Sequence, residues 1–430
     1  MITAEFPNRG LVFWQVGTGD STTVVIDDRH VLQIDLHDMA MADEDDAVVV
    51  PVVERLVEAL PQRDGMPYLA AFVLTHADKD HCLGFADLLR RVIIGEIWAT
   101  PRLWREYTDH DVELCADAKA FHEEVLRRVD ETLEAVERGE EPASGDRVRV
   151  VGYDTDQTTF SYHDLPDEYL SRPGDAVAII DGEDLADHFE AFIHAPFKDD
   201  CAEERNDTSL ALQITIKDAE MEGHALLFGD LAYETIKKVF EYSEASDRPE
   251  RLAWHALLAP HHCSKKVMYV NEDGKDVLQT DILELLEKHA SENAVVIVSS
   301  GEFPEANKPG DNPPHLVALA RYEEIASDVL CTATYPNAAA PQPIVFGLGA
   351  GGLELLELEE VVKSESKALG GSALVGGAAI LGLIAATRAI RRRREGGQPR
   401  PRGLGNIGDA VTTVRGTDAA PRQAVGFGGV

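Results

Sequence analysis

Directly after an apolar run typical of a buried strand, the chain reads Leu74-Thr75-His76-Ala77-Asp78-Lys79-Asp80-His81. Two histidines and two aspartates therefore fall within six residues. A strand end followed by a tight loop can direct several side chains at one point, and mixed imidazole and carboxylate donors suit Zn²⁺ or Mn²⁺. Four such donors are enough to begin two adjoining metal sites. The plainer interpretation is a solvated acidic loop whose histidines cap the following helix, but so dense a cluster directly after a strand is uncommon.

Two later strands are expected to end in residues of the same kind. The first, Ala225–Phe228, runs into Gly229-Asp230, which by itself indicates no more than a turn. The second, His255–Leu258, is followed by Ala259-Pro260-His261-His262-Cys263-Ser264. Adjacent histidines beyond a strand are rarer, although one buried, hydrogen-bonded histidine and one solvated histidine would also explain them. Both strand ends are candidates to complete a metal site.

Further motifs accompany these three along the chain. They are Gln15 to Ser21 (Gln-Val-Gly-Thr-Gly-Asp-Ser), Gln33-Ile34-Asp35, Asn206 to Leu210 (Asn-Asp-Thr-Ser-Leu), Ser300 to Asn307, and Pro314-His315. In this order the motifs resemble the metallo-β-lactamase superfamily and, within it, the soluble hydrolase domain of the ComEC-type competence proteins and their stand-alone relatives. The similarity covers roughly residues 11 to 335, and independent motifs seldom recur in the same order by chance.

The resemblance implies a fold and a set of metal ligands. The fold would be an α/β protein of the αββα sandwich type, with a dinuclear metal site at one edge of its two sheets. On the family pattern, His76 and Asp78 would bind one metal ion. Asp80 and His81 would bind the second ion, and Asp230 would bridge the two.

The resemblance also implies roles for residues outside these motifs' core. His261 matches the late histidine ligand, although His262 could exchange roles with it. His315 would support the metal ligands or contact a phosphate near the leaving oxygen. The wider superfamily has a further histidine where the ComEC-type group has Asn-x-x-Ser. The possible additional site residues are therefore His194, Asn206 and Ser209.

The chain departs from the ComEC-type pattern at several positions. Thr18 replaces the usual glutamine, Leu36-His37 replace small residues, and Cys263 stands where glycine is usual. None of these changes removes a metal ligand, so we expect an active site.

The implied activity is hydrolysis assisted by two divalent ions, Zn²⁺ or Mn²⁺, which together activate a water molecule. Asp80 and Asp230 would hold and orient that water, and His315 would stabilise the departing oxygen. The family favours a phosphodiester substrate, either nucleic acid or a nucleotide. An ester, thioester or amide substrate is the alternative within the same chemistry. A membrane-tethered scaffold with a structural metal site is the alternative from another class.

The charge of the chain is strongly negative and unevenly distributed. The net charge is −37, and residues 388–430 carry nine arginines against three acidic residues, which leaves −43 on the first 387 residues. Such a body repels phosphate backbones, so we expect no tight non-specific binding to duplexes. Five scattered cysteines do not make a disulfide framework and favour a reducing interior. Because the first residues lack a signal-peptide pattern, a cytoplasmic location is expected.

The sequence predicts three regions. Residues 1–360 form the hydrolase domain, with a helical insert at about 102–175. Residues 361–394 form a linker with an apolar, Gly/Ala-rich segment at 368–387 and an arginine cluster, and residues 395–430 form a disordered, basic tail. The apolar segment is either a transmembrane helix or a surface segment that touches a membrane or a protein partner. We therefore expect possible membrane association through residues 368–394.

Overall fold

A computed structural model of the chain describes residues 6–39, 50–108, 113–152, 160–197, 206–308 and 310–356. The predicted linker at 361–394 and the predicted tail at 395–430 lie outside the described residues. None of the helices in these ranges combines the length and the apolar character that a membrane span requires.

The first sheet is built mainly from the N-terminal half of the chain and is closed at one edge by two late strands. Its order is β21 (Gly352–Leu355), β20 (Ile344–Gly349), β1 (Gly10–Phe13), β2 (Thr22–Val25), β3 (Val31–Ile34), β5 (Met66–Val73), β6 (Ile93–Ala99), β7 (Arg147–Val151) and β8 (Leu170–Ser171), and β4 (Gln62–Arg63) pairs with β5. Neighbours from β3 to β8 along this order are parallel, and those from β21 to β3 are antiparallel.

The second sheet is built from the later part of the chain. Its order is β19 (Asp328–Cys331), β18 (Ala290–Val298), β15 (Trp254–Leu258), β14 (Met221–Leu227), β13 (Ala211–Asp218), β12 (Phe189–Ala195) and β9 (Ala176–Val177). Neighbours from β14 to β19 are parallel. Two separate hairpins pair β10 (Ile179–Ile180) with β11 (Glu183–Asp184) and β16 (Tyr269–Glu272) with β17 (Lys275–Leu278).

Nine helices lie within the described ranges. They are α1 (Val52–Ala59), α2 (Lys79–Cys82), α3 (Phe85–Arg91), α4 (Arg102–Thr108), α5 (Ala116–Glu137), α6 (Tyr233–Ala245), α7 (Pro260–Cys263), α8 (Thr280–His289) and α9 (Leu316–Ile325). The predicted insert at about 102–175 contains α4 and α5, and it also contains β7 and β8, which extend the first sheet.

Three apolar cores show how these elements are layered. Side chains alternate between the two faces of a strand, so Val73 of the first sheet and Leu227 of the second share the core between the sheets. Phe72 faces the other way and packs with Phe85 of α3 and Phe121 of α5. On the far side, Leu226 packs in a core that includes α6, α8 and α9. The order of layers is helix, sheet, sheet, helix, which confirms the predicted αββα sandwich.

Candidate metal centre

The polar motifs of the sequence lie at the carboxyl ends of strands. His76 follows β5, Asp230 follows β14, and the histidine pair follows β15. Since β14 and β15 are parallel neighbours, their carboxyl ends meet at one edge of the second sheet. The backbone N–H of His261 donates to the carbonyl of Gly229 at 2.9 Å, which joins the two turns directly.

Asp230 lies at the centre of the cluster and is almost fully buried. Its Oδ1 is 3.4 Å from His81 Nε2 and 3.5 Å from His262 Nε2. Its Oδ2 is 3.8 Å from His76 Nε2 and 3.6 Å from His261 Nε2. Each carboxylate oxygen thus faces its own pair of imidazole nitrogens, which is the arrangement that a carboxylate bridging two cations requires.

The residues around Asp230 form two sets. The first donor group lies on the Oδ2 side of Asp230 and consists of His76, Asp78 and His261. The second donor group lies on the Oδ1 side and consists of Asp20, Asp80, His81 and His262. In the second donor group, one donor atom each of Asp20, His81, His262 and Asp230 lies within 4.8 Å of the others. In the first donor group, His76 Nε2 is 3.5 Å from Asp78 Oδ2.

Several donor atoms of these groups are buried without a hydrogen-bond partner among the described residues. They are Asp20 Oδ1, His76 Nε2, His81 Nε2, Asp230 Oδ1 and His262 Nε2. A buried polar atom that lacks a partner costs free energy, so five such atoms converging on one place need an explanation. Divalent cations would satisfy all of them, and the donor set fits Zn²⁺ or Mn²⁺.

The αββα layers and the donors gathered at the strand ends together decide the type of fold. The chain is an αββα sandwich with a cluster of histidines and aspartates at its strand ends. The structure is similar to the crystal structure of the metallo-beta-lactamase fold protein YhfI from Bacillus subtilis, with 12% sequence identity and a TM-score of 0.37, and the match covers 79% of this chain and 100% of that one. No family model matches the chain, and no curated protein matches it.

Asp35 orients the second donor group through His81. Its Oδ2 accepts a hydrogen bond from His81 Nδ1 at 2.8 Å, which leaves Nε2 of that imidazole directed at Asp230. The same carboxylate accepts from the N–H of Thr75 at 2.8 Å and from its hydroxyl at 2.7 Å. A carboxylate behind a metal-binding histidine selects its tautomer and its orientation.

We expect Asp35→Asn to lower metal affinity by about 10- to 100-fold, because an amide nitrogen in place of Oδ2 cannot accept from His81. Competition with a chromophoric chelator would measure the affinity. Asp27→Asn is the matched control, since Asp27 accepts from His30 Nδ1 at 2.9 Å outside the two donor groups. Equal affinity in the two variants would contradict an orienting role for Asp35.

Asn206 and Ser209 support Asp230 and His76. Asn206 Nδ2 donates to Asp230 Oδ2 at 3.2 Å. The Ser209 hydroxyl lies 3.3 Å from His76 Nδ1 and accepts from the N–H of Asp230 at 3.3 Å. In this arrangement both residues hold members of the donor groups in place.

Electrostatics in the second donor group are dominated by the buried carboxylates. Burial alone would lower the pKa of His262, but Asp230 and Asp20 raise it to about 10. Burial would raise the pKa of Asp230, yet the imidazoles of His262 and His81 hold it well below its usual value. The same field that favours protons on these histidines attracts a cation in their place, and cation binding would release those protons.

The turn that carries the two histidines has an unusual backbone. His261, His262 and Cys263 all have left-handed φ angles of 49°, 53° and 67°. For residues other than glycine this conformation is strained, by about 1–2 kcal/mol each, and such strain is typical of functional sites. At Cys263, the φ of 67° is one that glycine adopts without this cost. The turn points His261 and His262 toward different oxygens of Asp230.

His194 is placed away from the donor groups by its hydrogen bond. This buried residue on β12 donates from Nε2 to the carbonyl of Arg251 at 2.9 Å, and its ring stands edge-on to Phe192. Burial lowers the pKa of His194 to about 4. The structure therefore gives His194 a role in the packing of the second sheet.

The depressed pKa of His194 predicts a dependence of stability on pH. Between pH 6.5 and 4 the unfolded chain binds a proton that the folded chain excludes, so this contribution to stability falls as the pH falls. The free energy of unfolding should fall between pH 7 and pH 5, and in His194→Gln this fall should be smaller by about 2 kcal/mol. The reason is that the difference in pKa between the folded and unfolded chain covers about 1.5 pH units of that window. Urea unfolding of the full chain with a chelator, at both pH values, would measure it. An unchanged pH dependence in the variant would contradict the assignment.

His315 lies at the start of α9, and both of its ring nitrogens are engaged. Nδ1 accepts from the N–H of Lys265 at 3.2 Å, and Nε2 donates to the carbonyl of Asp311 at 3.1 Å. Its own backbone N–H donates to the carbonyl of Cys263 at 3.1 Å. The structure thus shows His315 holding the end of the histidine turn, with both ring nitrogens bonded to backbone groups.

Asp20 is a candidate ligand that the sequence analysis did not assign. Its signal was its place in the motif from Gln15 to Ser21, but aspartate after glycine is common in turns. The backbone N–H of Asp20 donates to the carbonyl of Asp80 at 3.0 Å, which joins this turn to the loop after β5. A Cβ on Gly19 would come within 2.7 Å of that same carbonyl, so the close approach requires glycine.

Proposed function

We propose that the chain is a metal-dependent hydrolase that holds two divalent cations, one in each donor group. The observation that carries the proposal is that the two carboxylate oxygens of Asp230 face separate pairs of imidazoles. The unpartnered donor atoms around it give the independent support.

The two donor groups differ in composition. The first would use His76, Asp78 and His261, and the second would use Asp20, Asp80, His81 and His262, with Asp230 common to both. Four carboxylates among the donors make the centre rich in oxygen, which favours Mn²⁺ as much as Zn²⁺.

The bound ions would supply a water molecule of lowered pKa and would neutralise charge on the scissile group. Asp78 and Asp80 are the most exposed members of the donor groups, and His261 is partly exposed, so the open side of the centre lies beside these three residues. Asp80 and Asp230 would orient this water, and the buried His81 and His262 would exclude bulk solvent from that side of the centre. No serine or cysteine nucleophile is required.

A phosphodiester is the proposed substrate, either a nucleotide or single-stranded nucleic acid. The resemblance to the ComEC-type hydrolases supports this choice. The net charge of −43 on the first 387 residues opposes tight binding of duplexes but does not oppose small phosphodiesters.

The test is hydrolysis of bis(p-nitrophenyl) phosphate by the full chain, with Mn²⁺ or Zn²⁺ supplied and with a chelator. We expect turnover that requires metal and that is lost in Asp80→Ala. Asp87→Ala is the matched control, because Asp87 is a similarly exposed aspartate that pairs with Arg90 and Arg91 on α3. If metal-loaded protein shows no turnover, the phosphodiester assignment is wrong and an ester, thioester or amide substrate is favoured. If the protein fails to bind metal, the whole proposal is overturned.

A further inference from the structure

Two cysteines that the proposed chemistry does not use lie side by side at α2, the short helix that carries Asp80 and His81. The sulfurs of Cys82 and Cys115 are 3.5 Å apart, and both are free thiols. Cys82 ends α2 directly after His81 and is fully buried. Cys115 caps the N-terminus of the 22-residue helix α5 and is partly exposed.

The surroundings of Cys115 make it the more nucleophilic of the two. The hydrogen bond from Cys82, together with the N–H groups of Ala118 and Asp117, lowers the pKa of the Cys115 thiol to about 6 against the opposing effect of burial. The N–H of Ala118 donates to the Cys115 sulfur at 3.4 Å. A partly exposed sulfur with a lowered pKa, beside a second thiol, is the arrangement found in redox-active cysteine pairs.

We propose that Cys82 and Cys115 form a reversible disulfide when the protein meets a peroxide. The Cys115 thiolate attacks one peroxide oxygen, the O–O bond breaks, hydroxide leaves, and Cys115 becomes a sulfenic acid. The Cys82 sulfur then attacks the Cys115 sulfur, the S–O bond breaks, and the thiol proton leaves with the hydroxide as water. Two electrons pass from the sulfurs to the peroxide, so two thiols and one hydrogen peroxide give one disulfide and two waters. A thiol reductant reverses the step by exchange.

The disulfide bond would connect α2 to α5, the long helix of the insert. The two sulfurs must approach from 3.5 Å to about 2 Å, which requires the Cys82 and Cys115 side chains to move and would draw α2 and the start of α5 together. Because α2 carries Asp80 and His81, oxidation acts on the second donor group without consuming any of its ligands. Reversible disulfides of this kind are those found in reducing compartments.

The experiment is mass-spectrometric mapping of the full chain after treatment with hydrogen peroxide and alkylation of the remaining thiols. We expect a linked pair of peptides containing Cys82 and Cys115, lighter by two hydrogens and released by dithiothreitol. We also expect Cys115 to react at least about tenfold faster than Cys331, a partly exposed cysteine outside the pair. Cys331→Ser is the matched control and should leave the link unchanged.

Cys82→Ser should leave Cys115 as a sulfenic acid that dimedone traps. Mapping of the wild-type chain decides the question even where this variant does not fold. Oxidation of Cys331 without a Cys82–Cys115 link would overturn the proposal, as would equal yields of links between other cysteines. Because the readout is the link itself, the result is independent of whether the chain proves to be a hydrolase.

Discussion

Asp230→Asn is expected to empty both metal positions and to lower hydrolysis by about a thousandfold, on the order of what loss of a preorganised charge-stabilising group costs. The substitution keeps the shape of the side chain but replaces one oxygen with an amide nitrogen, which cannot bind a cation. It also removes the negative charge that the imidazoles of both donor groups face. Among the described residues, Thr75 also contacts a histidine of each group, His76 and His81, but its hydroxyl carries no negative charge.

Metal content per chain, measured by elemental analysis after gel filtration, is the first readout, and hydrolysis of bis(p-nitrophenyl) phosphate is the second. Asp181→Asn is the matched control, because Asp181 is also a buried aspartate but is held by Tyr68 and Ser144 outside the centre. It should lose stability and keep its metal. Two metal ions retained by Asp230→Asn would falsify the bridging role.

The second large effect is expected from the histidine turn, where His262→Ala and His261→Ala should each remove one ion, but not the same one. His262 is buried and its Nε2 lies 3.4 Å from Asp80 Oδ2 and 3.5 Å from Asp230 Oδ1, so its loss empties the second donor group. His261 is partly exposed and faces Asp230 Oδ2, so its loss empties the first. Each variant should keep one ion and lose about 100-fold or more in hydrolysis.

Electron paramagnetic resonance of Mn²⁺-loaded protein separates the two cases. Both variants should lose the coupling between paired ions, and the remaining signals should differ because the remaining donor sets differ. His289→Ala is the control, since the largely buried side chain of His289 pairs with Glu244 away from the centre. If both variants kept a coupled pair of ions, the division into two donor groups would be wrong.

The αββα sandwich could be predicted because short apolar runs in the sequence mark its strands. Apolar runs such as Leu69–Leu74 are buried on both faces, and each is followed by polar residues that the structure places at a strand end. The resemblance then supplied the order of layers, which no periodicity contains. The adjacency of Asp230 and the histidine pair followed from β14 and β15 being parallel neighbours, a pairing that joins separate parts of the sequence.

Other features of the centre depend on geometry that short patterns do not encode. The order of His261 and His262 depends on a run of left-handed residues, which breaks the usual alternation of side chains. Asp20 comes from a turn that the backbone bond to Asp80 brings to the cluster across the fold. The engagement of both His315 nitrogens depends on Lys265 and Asp311, whose backbone positions the sequence does not reveal.

The donor residues lie far apart along the sequence, so the ribosome synthesises them at different times. Asp20 is translated roughly 240 residues before His262. At typical rates of synthesis, tens of seconds separate the appearance of the two side chains. Until the histidine turn has left the ribosome and β15 has joined its sheet, neither donor group is complete. We therefore expect the nascent chain to capture divalent ions poorly, so that the ions available where folding finishes determine which metal the protein carries.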